Sequence, residues 1–184
     1  MVKTYSSNEM RIQIKDFYLF EVSSGKKKFL KDFFSETATV IVFICNHCPY
    51  VKHINSELIR LYKDFSPKGI SFLAINSNDE KKYPEDSQKN MKKTHKKLGY
   101  PFPYFFDETQ EVAKYYCAKC TPEFFIFSGK GILCYHGQLD DSRPGNKIPV
   151  TGFDVRNVLH NILNGIEINP FYKLSSGCNI KWKE

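Results

Sequence analysis

The sequence predicts an α/β fold: a central mixed β-sheet flanked by helices, with an N-terminal β-hairpin extension. Two observations carry this. Apolar, β-branched runs at residues 40–44 and 69–76 bracket an amphipathic helical stripe, and a strand–helix–strand unit of that length implies a parallel, right-handed crossover. Further on, a Thr-Pro step opens a hairpin that is followed by a last helix, which adds antiparallel strands to the parallel pair.

Taken in order, Phe17, Leu19, a Ser23-Ser24-Gly25-Lys26 turn, Phe29 and Leu30 read as a hairpin within residues 12–33. Residues 40–44 form the first core strand. The next helix carries the stripe Val51, Ile54, Leu58, Leu61, Tyr62 and Phe65. Pro49 stands where a first-turn proline is tolerated, and Ser66-Pro67-Lys68-Gly69 stops the run. Residues 69–76 form the second core strand. Residues 84–98 predict a helix with Met91, His95 and Leu98 on one face and Gly99 as its stop. Residues 100–106, aromatic and broken by two prolines, predict a short edge segment. Asp107 and Gln110 predict a capping box for a short helix ending near Tyr116. Residues 124–127 and 132–136 form the hairpin across Ser128-Gly129-Lys130-Gly131. A polar loop at 137–150 leads to a helix started by Thr151 and Asp154, striped by Val155, Val158, Leu159, Ile162 and Leu163, and ended by Gly165. An irregular tail is expected after Ile168. With no repeat, low-complexity block or linker, one domain is expected over 1–184, with its core at 10–165 and its tail at 166–184.

A chain of 184 residues is long enough to bury a full core, and 16 Phe and 11 Tyr make that core aromatic-rich. The net charge of +7 and pI of about 9.0 permit acidic partners. The lysines, however, are scattered or bunched in 81–97 among acidic and polar residues, as on a solvated helix face, and no nucleic-acid motif accompanies them. No run reaches membrane-spanning length, and residues 1–10 lack an apolar stretch of signal-peptide type. The expectation is a cytoplasmic protein with no nucleic-acid and no membrane partner. Six cysteines are too sparse for a disulfide scaffold. In a reducing compartment, paired cysteines point instead to redox work or metal.

The first core strand ends in Cys45-Asn46-His47-Cys48-Pro49, at the start of a helix. A helix N-terminus offers unpaired N–H groups and the positive end of its dipole. That setting favours the thiolate, the reactive form of cysteine. A second thiol three residues away is close enough to displace a mixed disulfide. Strand, Cys-x-x-Cys, helix is a redox pattern.

Several stretches carry a resemblance. They are Cys45-Asn46-His47-Cys48-Pro49-Tyr50-Val51-Lys52-His53, Ala74-Ile75-Asn76-Ser77-Asn78, Cys120-Thr121-Pro122, Gly137-Gln138-Leu139-Asp140-Asp141-Ser142-Arg143-Pro144-Gly145-Asn146 and Gly177-Cys178-Asn179-Ile180-Lys181-Trp182. Together they resemble a peroxiredoxin-like branch of the thioredoxin-fold superfamily, the alkyl hydroperoxide reductase/thiol-specific antioxidant proteins, from about residue 10 to the end. The resemblance implies a thioredoxin-like fold and thiol–disulfide exchange. It makes Cys45 the nucleophile and Cys48 the resolving thiol, with His47 tuning the thiolate. Thr121 and Pro122 position substrate, the residue before that proline pairing with the substrate backbone, and Asn46 and Pro49 border it. The implied partners are a protein or small-molecule disulfide or thiol and an external thiol reductant, with no bound cofactor. The alternative is a thiol peroxidase, since the peroxidatic cysteine of peroxiredoxins aligns with Cys48. Their usual arginine position falls near Thr121-Pro122, where this chain has none. An arginine there would stabilise the thiolate and the charge that develops as the O–O bond breaks.

Other constellations are accessory. Cys117-Ala118-Lys119-Cys120 is a second Cys-x-x-Cys, at a helix end where the dipole disfavours a thiolate. Four cysteines in two pairs make a zinc or copper carrier the lesser alternative, although the span between the pairs is far longer than in zinc ribbons. Cys120 is either a third redox thiol or an apolar wall residue. Cys134 falls within a strand and reads as core. Cys178 is a resolving thiol if the tail packs at the site. Gln138, Asp140, Asp141 and Arg143 belong to a loop that strand direction brings beside the cysteines. They either border a substrate groove or bond to one another, and Arg143 is the one candidate to replace the missing arginine. His53, His95, His136 and His160 have no evident partner in the sequence.

Overall fold

The computed structural model describes residues 12–168 and 171–184; the polar segment 1–10 lies outside them. The strands are β1 (Tyr18–Glu21), β2 (Lys26–Phe29), β3 (Ala38–Phe43), β4 (Ile70–Asn76), β5 (Tyr104–Phe106), β6 (Cys120–Thr121), β7 (Glu123–Ser128), β8 (Leu133–Gly137), β9 (Phe171–Lys173) and β10 (Cys178–Asn179). The helices are α1 (Pro49–Phe65), α2 (Gln88–Leu98), α3 (Glu111–Tyr115) and α4 (Phe153–Leu163). Eight strands form one sheet in the order β2-β1-β5-β4-β3-β7-β8-β9, and β10 pairs with β6. β3 and β4 are parallel, as are β4 and β5, while β7 runs antiparallel to both β3 and β8. The fold is therefore the expected mixed α/β sheet.

Strand alternation builds the two core layers. Along β3, Val40 and Val42 face one side with α1, α2 and α4, meeting Ile54, Leu58, Leu61, Met91, Val155 and Leu159. Ile41 and Phe43 face the other, with Leu73, Phe125, Phe127, Val112 and Tyr116. Period-two alternation sends successive side chains to opposite faces, so a strand apolar throughout is one buried on both. α1 lays its expected stripe onto the first layer and also buries Glu57, whose carboxylate accepts from Arg60 Nε at 2.7 Å and Arg156 Nε at 2.8 Å.

Four local expectations are corrected. Residues 84–98 are not one helix: a 3-10 turn at Pro84–Asp86 precedes α2, and extended Ser87 (ψ 151°) separates them. β5 is not an edge, because β4 and β1 flank it and its prolines lie ahead of the paired residues. Asp107 and Gln110 make no capping box. Gln110 takes a left-handed conformation (φ 62°) and turns its amide to the Ser77 and Lys181 carbonyls, while Asp107 Oδ2 accepts from Ala113 N at 3.0 Å. The tail is not irregular throughout: β9 runs parallel to β8, and β10 runs antiparallel to β6. Among the described residues no helix is long and apolar enough to cross a membrane.

Candidate active site

The pairing of β3 with β4 continues to Ile44, whose N–H reaches the Ile75 carbonyl, and residues 45–48 then leave the sheet. Cys48 caps α1 in an extended conformation and Pro49 opens the helix, as its spacing predicts. Cys45 is 2 % exposed and Cys48 is fully buried. Cys45 Sγ lies 3.4 Å from Thr121 Oγ1, and Cys48 Sγ lies 3.2 Å from the Thr121 carbonyl oxygen. The Thr121–Pro122 peptide is cis. Cys178 Sγ, brought in by β10, is 2.8 Å from Cys48 Sγ. None of the six cysteines is in a disulfide.

The Cys45 and Cys48 thiols hold their protons unequally. The hydrogen bond from Cys45, outweighing burial, holds the Cys48 thiol down to about 5; the Cys178 thiol, the Val51 N–H and Thr121 add to this. Cys45 is pushed up by its bond to Cys48, by burial and by the Asp86 carboxylate. Such a pair titrates as a unit. Its first proton is held loosely and its second tightly, with the lowered thiol at Cys48, beside the helix N-terminus.

His47 has partners that sequence reasoning missed. Its Nδ1 lies 2.6 Å from Asp86 Oδ2, and its ring stacks on Tyr83 with centroids 5.4 Å apart. Asp86 is fully buried and also accepts from Asn46 N at 2.7 Å and Asn78 Nδ2 at 2.8 Å. Asn46 is engaged by the chain itself, donating its amide to the Glu85 carbonyl at 2.7 Å. The only sequence signal for Asp86 was an acidic residue after Pro84 in a polar stretch, and nothing local tied it to a turn about forty residues away.

The loop after β8 bonds largely to itself. Asp140 accepts from the N–H groups of Ser142, Thr151 and Gly152. Arg143 donates to the Asp140 carbonyl at 2.5 Å, to the Ser142 carbonyl at 2.7 Å and to Gln138 Oε1. Gln138 in turn donates to Asp141 at 2.7 Å and Asp154 at 2.8 Å. Even so, Gln138, Asp140 and Arg143 line a cleft with Tyr50, His53 and Pro122, and His53 Nε2 lies 2.8 Å from Ser142 Oγ.

The edge of Thr121 that the resemblance assigns to a substrate backbone is paired, in this structure, with Cys178. Cys120 is 3 % exposed, and burial, with Glu123 nearby, raises its thiol. Glu123, fully buried, accepts from Lys119 N and lies 2.7 Å from His136 Nε2, which gives that histidine a partner. Cys117 has a left-handed backbone (φ 54°), a conformation that favours glycine. Among the described residues the potential metal-ligating atoms gather at Cys45, His47 and Asp86, within 4.8 Å of one another, rather than at the two Cys-x-x-Cys pairs. There His47 and Asp86 already bind each other.

The profile of the AhpC/TSA family matches residues 11–136. The chain is similar to an uncharacterized conserved protein from Geobacillus kaustophilus: 56 % identity, 95 % of this chain and 92 % of that one covered, TM-score 0.91. It is also similar to a hypothetical protein from Sinorhizobium meliloti 1021: 39 % identity, 95 % and 94 % covered, TM-score 0.89. A thiol:disulfide interchange protein of the thioredoxin family from Chlorobium tepidum shares the fold at 16 % identity, with 84 % and 97 % covered and a TM-score of 0.63. No curated protein matches the chain.

Proposed function

The chain belongs to the AhpC/TSA family, and on that premise we propose that it is a thiol–disulfide oxidoreductase cycling Cys45 and Cys48 between dithiol and disulfide. The observation that carries this reading is the placement of two buried thiols against one residue ahead of a cis-proline: Cys45 Sγ 3.4 Å from Thr121 Oγ1, and Cys48 Sγ, at the cap of α1, 3.2 Å from the Thr121 carbonyl oxygen. Exchange needs a thiolate to attack and a second thiol to close the bond. The resemblance gives the first attack to Cys45, but the charge distribution favours Cys48. The Cys48 thiolate attacks a substrate sulfur and expels one substrate thiolate. Cys45 then attacks the Cys48 sulfur, passes its proton to the departing group and frees the second substrate thiol. The substrate disulfide is reduced and the pair oxidised, and an external thiol reductant restores it. His47, Asp86 and Asn46 hold the turn that carries both sulfurs.

A second reading, thiol peroxidase, is favoured by one feature, the lowered thiol of Cys48 at the start of α1. Against it, the Arg143 guanidinium is engaged within its own loop. Fully reduced protein offered hydrogen peroxide and a small disulfide in separate reactions decides between them. The expected result is faster oxidation by the disulfide, ending in a Cys45–Cys48 bond. Faster consumption of peroxide, with sulfenic acid at Cys48, overturns the exchange reading.

A further inference from the structure

The tail places a third thiol against the buried pair. β10 joins β6 with Cys178 opposite Thr121 and Asn179 opposite Cys120. Bonds on both sides hold it there: Ile180 N to the Lys119 carbonyl at 2.9 Å, Lys181 N to Asn78 Oδ1 at 2.8 Å, and Asp79 N to the Lys181 carbonyl at 2.9 Å. Asn78 is also the residue that donates to Asp86, so the tail and the Cys45–Cys48 turn share one polar anchor. Gly177 makes the approach possible. A Cβ there would stand 2.1 Å from the Thr121 carbonyl oxygen, a backbone atom that cannot yield.

The three thiols differ in access. Cys45 and Cys48 are buried, and Cys178 is partly exposed. Its sulfur is 2.8 Å from Cys48 Sγ, so a small movement brings it to the disulfide bonding distance of about 2.05 Å. From this geometry we propose that Cys178 is a relay thiol, exchanging onto Cys48 so that the oxidised pair is reduced from the surface. The relay rests on the exchange reading above.

The step balances. In the oxidised protein Cys178 attacks the Cys48 sulfur of the Cys45–Cys48 disulfide. The Cys48–Cys178 bond forms, the Cys45–Cys48 bond breaks, and the proton leaving Cys178 ends on Cys45. No electrons are gained or lost. An external thiol then attacks the partly exposed Cys178 sulfur, with Cys48 as the leaving thiolate, and a second thiol clears Cys178 as the external disulfide. The leaving group suits the task, because low-pKa thiolates leave faster. The resting state restrains the third thiol: burial and the Cys48 thiolate push Cys178 up to about 12. Oxidation of Cys48 removes that charge and releases Cys178 to react.

The test treats wild type, Cys45→Ser and Gly177→Ala with one equivalent of bis(2-hydroxyethyl) disulfide, blocks free thiols by alkylation, and maps cross-linked peptides. Wild type is expected to show the Cys45–Cys48 bond with a fraction of Cys48–Cys178. Cys45→Ser is expected to convert to Cys48–Cys178. Gly177→Ala, which retains every thiol, is expected to lose Cys48–Cys178 and keep Cys45–Cys48. A lasting mixed disulfide on Cys48 in Cys45→Ser, with Cys178 alkylated, overturns the relay and leaves the exchange reading standing. Absence of Cys45–Cys48 in wild type overturns the exchange reading instead. If Cys45→Ser does not fold, wild type without any Cys48–Cys178 peptide overturns the relay by itself.

Discussion

At the scale of single residues, the account turns on where one negative charge resides. Alkylation of reduced protein by iodoacetamide, mapped to Cys48, is expected to rise with pH about a midpoint near 5. The sign follows from the acid form: below that pH the thiol is protonated and inert, and above it the thiolate is present. An ordinary cysteine would instead rise about a midpoint near 8.5. Asp86→Asn is the complementary probe. It removes a carboxylate that raises Cys45, so the thiolate absorbance of Cys45 is expected to appear at lower pH. It also weakens the bonds to Asn46 N, His47 and Asn78, at a cost of about 1–3 kcal/mol read from denaturant unfolding. The position of Cys45 and Cys48 was legible because an apolar strand run ends just before them and a first-turn proline and helical stripe begin just after them. Asp86 was not, because a buried carboxylate that organises a distant turn leaves no periodic trace.

At the scale of elements, the hairpin shows a local polar lock. Glu21, 1 % exposed at the end of β1, accepts from Ser23 N, Ser24 N and Lys28 Nζ. Burial opposes ionisation, but the bonds from Ser23 and Ser24 prevail and hold the carboxyl at about 2, against 4.5 when free. A lowered acid stabilises the fold above its unfolded value. That contribution is therefore present above pH 4.5 and is lost as pH falls toward about 2. Glu21→Gln is expected to cost about 1–3 kcal/mol at neutral pH and to flatten this acid limb. The hairpin was readable from its Ser-Ser-Gly-Lys turn, and α1 from its stripe. β9 and β10 were not, because strands of two or three residues carry no alternation. Their identity comes from the partners β8 and β6, which the sequence does not announce.

At the scale of the whole molecule, the two core layers fix the direction of every loop that reaches the site. β3 delivers Cys45 at its C-terminal end, and β7 starts beside it after Pro122. β8 returns, and its loop arrives next to Pro122, as strand direction alone predicts. The layers hold because the central strands are apolar on both faces. Leu61→Ala, at a fully buried position on the inner face of α1, is expected to cost about 2–5 kcal/mol, seen as a lower denaturant midpoint with an unchanged slope. The order of elements, and with it the fold, was legible because each core strand and long helix has its own period. The closing of the tail over Thr121 was hidden, since it depends on long-range pairing and on the absence of a side chain at Gly177.

The most direct test of the central claim is a redox titration of the whole protein in glutathione buffers at neutral pH, with disulfides mapped at each point. The prediction is that Cys48 is oxidised in one two-electron step to an intramolecular disulfide, with Cys45 as its main partner and Cys178 as the minor one. Oxidation of Cys45 while Cys48 stays reduced, or glutathione retained on Cys48 in place of an intramolecular bond, would contradict it.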